Sequence, residues 1–377
     1  MRVLLHTPLK PPDSPTPSGD REMARGLARL LRRLGHRVVI PALSRVVPGV
    51  PAASAHLALE RRARAQAARL VARWRALPEG HPERFDLWFT YHCYYRKPDW
   101  LGPIVSEALG IPYVIAEASH AEKRAAGPWA LGHAAAADAI RRARLILEPS
   151  RDDVAGLQAL VGSDRIVHLP PFLDATPYAA AIKARRSHRE RLAGKHGLDP
   201  AVPWIMVAAM MRAGDKLASY RALAATLGRL TDLPWRVVIA GDGSARREVE
   251  GAFEQAAPGR ACFLGTLEGR ELVTTYAACD LYAWPAVNEA YGMAMLEAQA
   301  AGMPVVSYAR RGVPDVVLHG KTGLLIADGE DLERPLRELL TDAPRRAALG
   351  REAAAFVSAH RSLGAAAGQL KRLLGAL

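Results

Sequence analysis

Residues 281–302 constrain this chain more than any other stretch. Leu281-Tyr282-Ala283-Trp284-Pro285 is a short apolar run of strand type, a turn follows, and a helix opens near Gly292 and closes at Gly302, with Pro304 behind it. A strand that hands over to a helix within a few residues belongs to a parallel sheet, because parallel neighbours need a crossover between them. The helix mouth also constrains the chemistry. The amides of Gly292, Met293 and Ala294 lack partners inside their own helix, and the aligned peptide dipoles favour an anion in front of them. Yet Glu289 stands in the turn, and Glu297 follows eight residues later in the helix. Carboxylates repel a bare phosphate. The pair suits a phosphate diester with hydroxyl-rich groups on both sides, each acid accepting hydrogen bonds from a sugar.

Strand and helix alternate through the rest of the chain. The second half predicts strands at 203–210 and 235–240 and helices at 218–230 and 245–256. The first half predicts strands at 2–6, 36–42, 85–90, 112–117, 145–148 and 165–169, and helices at 21–34, 53–77 and 132–142, with another starting from Ser150. Residues 171–200, with Pro171 and Pro177 and a basic polar run, read as a linker. A chain of 377 residues exceeds what one core usually serves. The division is therefore 1–170, a linker at 171–200, 201–350, and a helical, alanine-rich tail at 351–377. No apolar run approaches a membrane span, and the first apolar run is too short for a signal peptide. Cys93, Cys262 and Cys279 form no CxxC and cannot all pair, which suits a reducing cytoplasm. His92 beside Cys93 lacks the spacing of a zinc site.

Glu-x7-Glu with Tyr-Gly after the first acid resembles the retaining glycosyltransferases of family 4. The surroundings match as well: Ala240-Gly241-Asp242-Gly243, Phe263-Leu264-Gly265-Thr266-Leu267, Gly302-Met303-Pro304-Val305-Val306 and Gly320-Lys321-Thr322-Gly323-Leu324-Leu325. The resemblance is closest over residues 203–350. It implies an α/β fold of the GT-B type, two Rossmann-like, doubly wound parallel-sheet domains facing a central cleft. It also implies retaining transfer of a sugar from a nucleoside-diphosphate sugar to a hydroxyl acceptor. On that resemblance, Arg212 and Lys216 reach the donor diphosphate, Arg212 as a fork and Lys216 as a point charge. Glu289 orients the sugar and Glu297 holds the ribose. Gly19, Gly241, Gly265, Thr266, Leu267, Tyr291, Gly292, Met293 and Ala294 complete the donor contacts, and His120 or its rival Glu117 approaches the donor sugar. The leaving diphosphate deprotonates the incoming hydroxyl, so no carboxylate nucleophile at glycosidase spacing is needed. The tail is expected to cross back onto the first domain. No Asp-x-Asp motif appears, so no metal and no further cofactor is expected.

In open α/β sheets ligands sit beyond the carboxyl ends of strands. The run Tyr91-His92-Cys93-Tyr94-Tyr95-Arg96-Lys97 follows the strand at 85–90. Tyr91, His92, Tyr94 and Tyr95, with Glu117 and Lys123, are therefore the acceptor candidates, local packing being the alternative. The net charge of +13 lies mostly in the first half. Residues 1–170 carry 25 Lys/Arg against 16 Asp/Glu, the remainder 26 against 22. Arginines repeat along the outer sides of the helices at 21–34 (Arg21, Arg25, Arg29, Arg32, Arg33) and 53–77. They are either a solvated face over a sheet or a docking surface for the anionic inner face of the cell membrane, near a glycan or lipid-linked acceptor. No helix-turn-helix, zinc-finger or RNA-binding signature points to nucleic acid. An NAD-dependent oxidoreductase is disfavoured, since no G-x-G-x-x-G follows the first strand. A non-catalytic sugar-nucleotide-binding or scaffold protein on the same fold stays open.

Overall fold

The computed structural model describes residues 1–41 and 53–377. The chain divides into two compact units, Met1–Pro170 with Ala366–Leu377, and Pro171–Ala365.

In the first unit β1 (Arg2–His6), β2 (Arg37–Val39), β3 (Leu87–Cys93), β4 (Tyr113–Ala118), β5 (Leu145–Glu148) and β6 (Ile166–His168) form one parallel sheet in the order β2-β1-β3-β4-β5-β6. Strand β2 is shorter than the 36–42 expected, and Ala42 lies outside the described residues. The helices are α1 (Gly19–Arg33), α2 (Ala53–Ala76), α3 (Gly102–Leu109), α4 (Ala130–Arg142) and α5 (Val154–Gln158). Helix α1 begins two residues before the expected Arg21, because the Ser18 hydroxyl accepts from the Arg21 amide at 3.2 Å and caps it. It buries Met23, Ala24, Leu27, Ala28, Leu30 and Leu31. Arg21, expected on the polar side, is buried too, its guanidinium donating to the Ser14 carbonyl at 3.2 Å and to Glu22 at 3.1 Å. Arg29, Arg32 and Arg33 are exposed, as are Arg61, Arg62 and Arg69 of α2.

Strand β3 runs three residues past the expected end at Thr90. Its alternation turns Tyr91 and Cys93 inward, opposite Ala116 and Ala118 of β4. Beneath them lies the buried Asp99 carboxylate. It accepts from the Trp88 indole (3.0 Å), Thr90 hydroxyl (2.5 Å) and Tyr113 hydroxyl (3.0 Å), and from the amides of Leu101 and Gly102 at the start of α3 (2.9 Å each). A carboxylate out of water needs that many donors.

In the second unit β7 (Trp204–Ala208), β8 (Arg236–Ala240), β9 (Ala261–Gly265), β10 (Leu281–Trp284), β11 (Val305–Tyr308) and β12 (Gly323–Ile326) form a second parallel sheet, in the order β12-β11-β10-β7-β8-β9. Trp204, Tyr220, Phe253, Tyr276 and Tyr282 fill its core. The helices are α6 (Thr176–Lys183), α7 (Arg185–His196), α8 (Asp215–Gly228), α9 (Arg246–Ala256), α10 (Gly269–Ala278) and α11 (Met293–Ala300). Residues 171–200 carry α6 and α7, and charge anchors them to this unit. Arg185 and Arg189 pair with the two oxygens of Asp280 at 2.7 and 2.9 Å, and the Arg189 guanidinium lies 4.1 Å over the Trp204 ring. The helical tail expected at 351–377 is interrupted by a wide turn at Val357–Arg361 and an extended Ser362. The last helix, Leu363–Leu374, buries Leu370 and Leu374, and Gln369 donates to the His168 carbonyl at 2.6 Å. Among the described residues no helix is long and apolar enough to cross a membrane.

Candidate active site

The sheet of the second unit reverses its strand order between β10 and β7. Loops leaving two such strands diverge and open a crevice at their carboxyl ends. The loop after β7 carries Arg212 and leads into α8, whose first turn holds Lys216; the loop after β10 carries Glu289. The Lys216 ammonium lies 2.5 Å from Glu289 Oε2 and 5.4 Å from the centre of the Trp284 ring, whose indole N–H points at the same oxygen from 3.4 Å. Both side chains of the ion pair are about one-fifth exposed (19% and 20%), so solvent screens it only partly. The loop is strapped to α8 by the Val287 amide on Ser219 Oγ (3.0 Å) and Asn288 on Asp215 (2.9 Å), and Arg311 donates to Asn288 at 3.0 Å. Ala286 and Asn288 both adopt left-handed backbone, φ 57° and 53°, a conformation kept only where surroundings enforce it. Arg212 is exposed and makes no ion pair among the described residues.

Gly292 caps α11 at φ 80°, and a Cβ there would sit 3.0 Å from Met295 Cε, so only glycine suits the mouth. Tyr291 and Met293 are buried, and Ala294 is half-buried. Glu297 accepts from the Tyr276 hydroxyl at 3.0 Å. Burial first, and then Glu297, hold that hydroxyl well above the ordinary tyrosine range, so it stays a donor. Gly241 has a structural duty: a Cβ there would lie 2.0 Å from the Ala209 carbonyl oxygen, and its amide donates to the Gly265 carbonyl at 2.7 Å. The loop bearing Arg212 therefore rests on glycine backbone. Gly265 itself, at φ 72°, has nothing within 4 Å of a Cβ position and borders the exposed Thr266 and half-buried Leu267.

The first unit holds two side-chain groups of its own. At the carboxyl ends of β3 and β4, His92 Nδ1 lies 3.2 Å from Asp20 Oδ1 and 3.3 Å from Glu117 Oε1. These are charge pairs without the alignment of a hydrogen bond. Burial acts to lower the His92 pKa, but Glu117 and Asp20, with Asp153 farther off, outweigh it and raise it to about 9. His92 (φ 66°) and Glu117 (φ 62°) both carry left-handed backbone. Gly19, exposed, opens α1 immediately before Asp20. The His92 and Tyr94 rings lie 4.8 Å apart, and Tyr94, Tyr95 and Trp129 continue edge to face at 5.4 Å each. Arg96 and Arg124 lie 5.5 and 5.0 Å from the Tyr95 ring. Tyr91 takes no part as a stacking surface: its ring is only 1% exposed, because strand β3 turns it into the core. Lys123 is exposed in a short turn. His120 Nε2 faces Glu122, and its ring faces His133 at 4.5 Å between centroids. Sequence reasoning missed Asp20, Glu122, Trp129, His133, Tyr276 and Trp284 as partners. Only Asp20, following Ser-Gly at the end of the first loop, carried a local signal.

Residues 219–356 match the family model of the glycosyl transferases of group 1. The group 1 segment contains Glu289, the Gly292 mouth and Glu297, while Arg212 and Lys216 lie just ahead of it. The chain is 33% identical over 217 residues to a D-inositol 3-phosphate glycosyltransferase of Corynebacterium aurimucosum, covering 56% of this chain and 51% of that protein. It is 37% identical over 123 residues to the sulfoquinovosyl transferase SQD2 of Arabidopsis thaliana, 31% of this chain and 24% of that protein. The chain thus spans about half, or less, of these curated relatives. Two solved structures superpose over 100% of both chains with a TM-score of 0.72: sucrose-phosphate synthase of Thermosynechococcus elongatus, at 17% identity, and Anabaena Alr3699/HepE in complex with UDP, at 18%. At such identities the likeness is one of fold, and that fold is GT-B, two parallel six-stranded sheets with flanking helices.

Proposed function

We propose that the chain is a retaining glycosyltransferase that moves a sugar from a nucleoside-diphosphate sugar to a hydroxyl acceptor, the second unit binding the donor and the first the acceptor. The observation that carries this reading is the juxtaposition at the β7/β10 switch point: the Lys216–Glu289 pair, exposed Arg212, and the amides in front of α11. An ammonium has three donors. Glu289 takes one, and the others can serve diphosphate oxygens beside the forked Arg212. As the bond from the sugar to the diphosphate breaks, negative charge grows on the diphosphate, and these preorganised donors stabilise it. Among the described residues Glu289 is contacted through Oε2, so Oε1 is left to accept from a sugar hydroxyl. Glu297, oriented by Tyr276, accepts from the ribose. The departing diphosphate takes the proton of the acceptor hydroxyl on the same face, which gives retention, and no divalent ion enters this chemistry. The structural neighbour HepE, solved in complex with UDP, supports a UDP-linked donor. On the acceptor side, the Tyr94, Tyr95 and Trp129 rings flanked by Arg96 and Arg124 suit a sugar bearing negative charge. The exposed arginines of α1 and α2 support peripheral docking on the cytoplasmic face of an anionic membrane, near a lipid-linked acceptor.

Thermal shift with UDP, GDP and ADP, followed by donor hydrolysis and transfer assays, tests the reading. A ligand at 100 times its Kd adds about 2.7 kcal/mol to the native state. Failure of all three nucleotides together with absent donor hydrolysis would favour the scaffold reading. An inverted anomeric product, or loss of turnover in a chelator, would remove retention or metal independence separately.

A further inference from the structure

We propose that His120, Glu122 and His133 form a site for a divalent ion of the zinc class. They come from the loop after β4, the short turn Glu122–Arg124 and the first turn of α4, all in the first unit. One ligand atom from each lies within 4.8 Å of the other two. His120 Nε2 and Glu122 Oε2 are 3.4 Å apart, which is long for a hydrogen bond. Two ligands sharing a tetrahedral zinc at its usual bond lengths stand about 3.4 Å apart. The pair is spaced for an ion between them.

An orphaned nitrogen carries the argument further. His133 is 8% exposed, and its Nε2 is buried with no hydrogen-bond partner. A buried polar atom left without a partner is destabilising, and a bound ion removes that cost. Two imidazoles and one carboxylate select zinc-like ions over magnesium or calcium. The Glu122 side chain is 83% exposed, leaving the solvent side open for a fourth ligand. The backbone is fixed on one flank, since a Cβ on Gly156 would meet the His120 carbonyl oxygen at 2.2 Å.

The test uses the full chain, stripped with a chelator and titrated with Zn(II), and with Co(II) as an absorbing substitute. One equivalent should bind, with Co(II) giving the intense visible bands of low coordination number. His133→Gln should abolish those bands. Glu122→Gln should weaken binding at least as much as the roughly 10- to 100-fold typical of losing an outer partner. His92→Gln should leave binding unchanged. If His133→Gln does not fold, the exposed Glu122→Gln decides alone. No stoichiometric binding by the wild type, unchanged affinity in Glu122→Gln, or loss in His92→Gln would each overturn the site. The readout is metal, not sugar transfer, so it stands or falls apart from the reaction proposed above.

Discussion

Alanine at Gly241 should damage both stability and turnover. The added Cβ would stand 2.0 Å from the Ala209 carbonyl oxygen, whereas real Cβ contacts stop near 3.0 Å. The loop after β7 must therefore retreat by about 1 Å, a backbone adjustment rather than a side-chain one. Overpacking of that kind costs about 1–3 kcal/mol, and holding alanine near φ 154° adds to it. A total of about 3 kcal/mol lowers Tm by roughly 6–12 °C in a unit of this size. The displaced loop carries Arg212 and leads into the first turn of α8 with Lys216, and a misplacement of about 1 Å at a charge stabiliser costs on the order of 10²-fold in rate. Gly251→Ala is the internal control. It lies in α9 with nothing within 4 Å of its Cβ position, so it should gain about 1 kcal/mol and leave turnover alone. Differential scanning fluorimetry and steady-state transfer on both variants decide the matter. A Gly241→Ala protein that melts within a degree of wild type would show that the two loops do not press on each other.

Further outcomes follow from other contacts. Arg212→Ala should lower the transfer rate by roughly 10²–10³ with Tm unchanged, because the side chain is exposed and supports nothing else; equal loss of Tm and rate would show a structural role instead. Glu297→Gln should weaken UDP and UDP-sugar alike by about 1–3 kcal/mol in calorimetry, while Glu289→Gln should harm transfer more than binding of bare UDP. Identical losses of UDP affinity in both would refute that division of labour. His92, raised to about 9 from an unfolded value near 6.5, contributes stability that is complete below about pH 6.5 and fades as pH rises through 9. Urea melts from pH 6 to pH 10 should show wild type losing on the order of 3 kcal/mol more than His92→Gln; parallel curves would refute the pairing. Co-sedimentation with anionic vesicles should be strong at low salt and fade as salt rises, since about 1 kcal/mol per arginine is purely electrostatic; protein left in the supernatant at low salt makes those arginines a solvated face.

The alternation of strand and helix was legible because apolar runs and glycine turns are local signals, and so was the helix mouth at Gly292. Contacts made across the fold were not. Lys216 and Glu289 lie 73 residues apart, and nothing near either announces that the proposed phosphate cation and sugar acid touch. Helix α7 looked like a linker because its sequence is polar; what holds it is Asp280, ninety or so residues on, receiving two arginines. Strand β3 outran its expected end because Tyr91, His92 and Cys93 read as a polar, aromatic loop, whereas the pairing with β4 made them strand. The group at His92 draws on Asp20 and Glu117 from elements that the chain separates, so spacing alone could not assemble it.

Residues 366–377 pack with residues 1–170, and the intervening 171–365 make a unit by themselves. During synthesis the second unit can therefore close while the first still waits for Leu370 and Leu374 to cover its apolar surface. The half of the protein that leaves the ribosome first is the half completed last. A chaperone or protease that surveys nascent chains would meet an unfinished first unit for the whole time the second is being made.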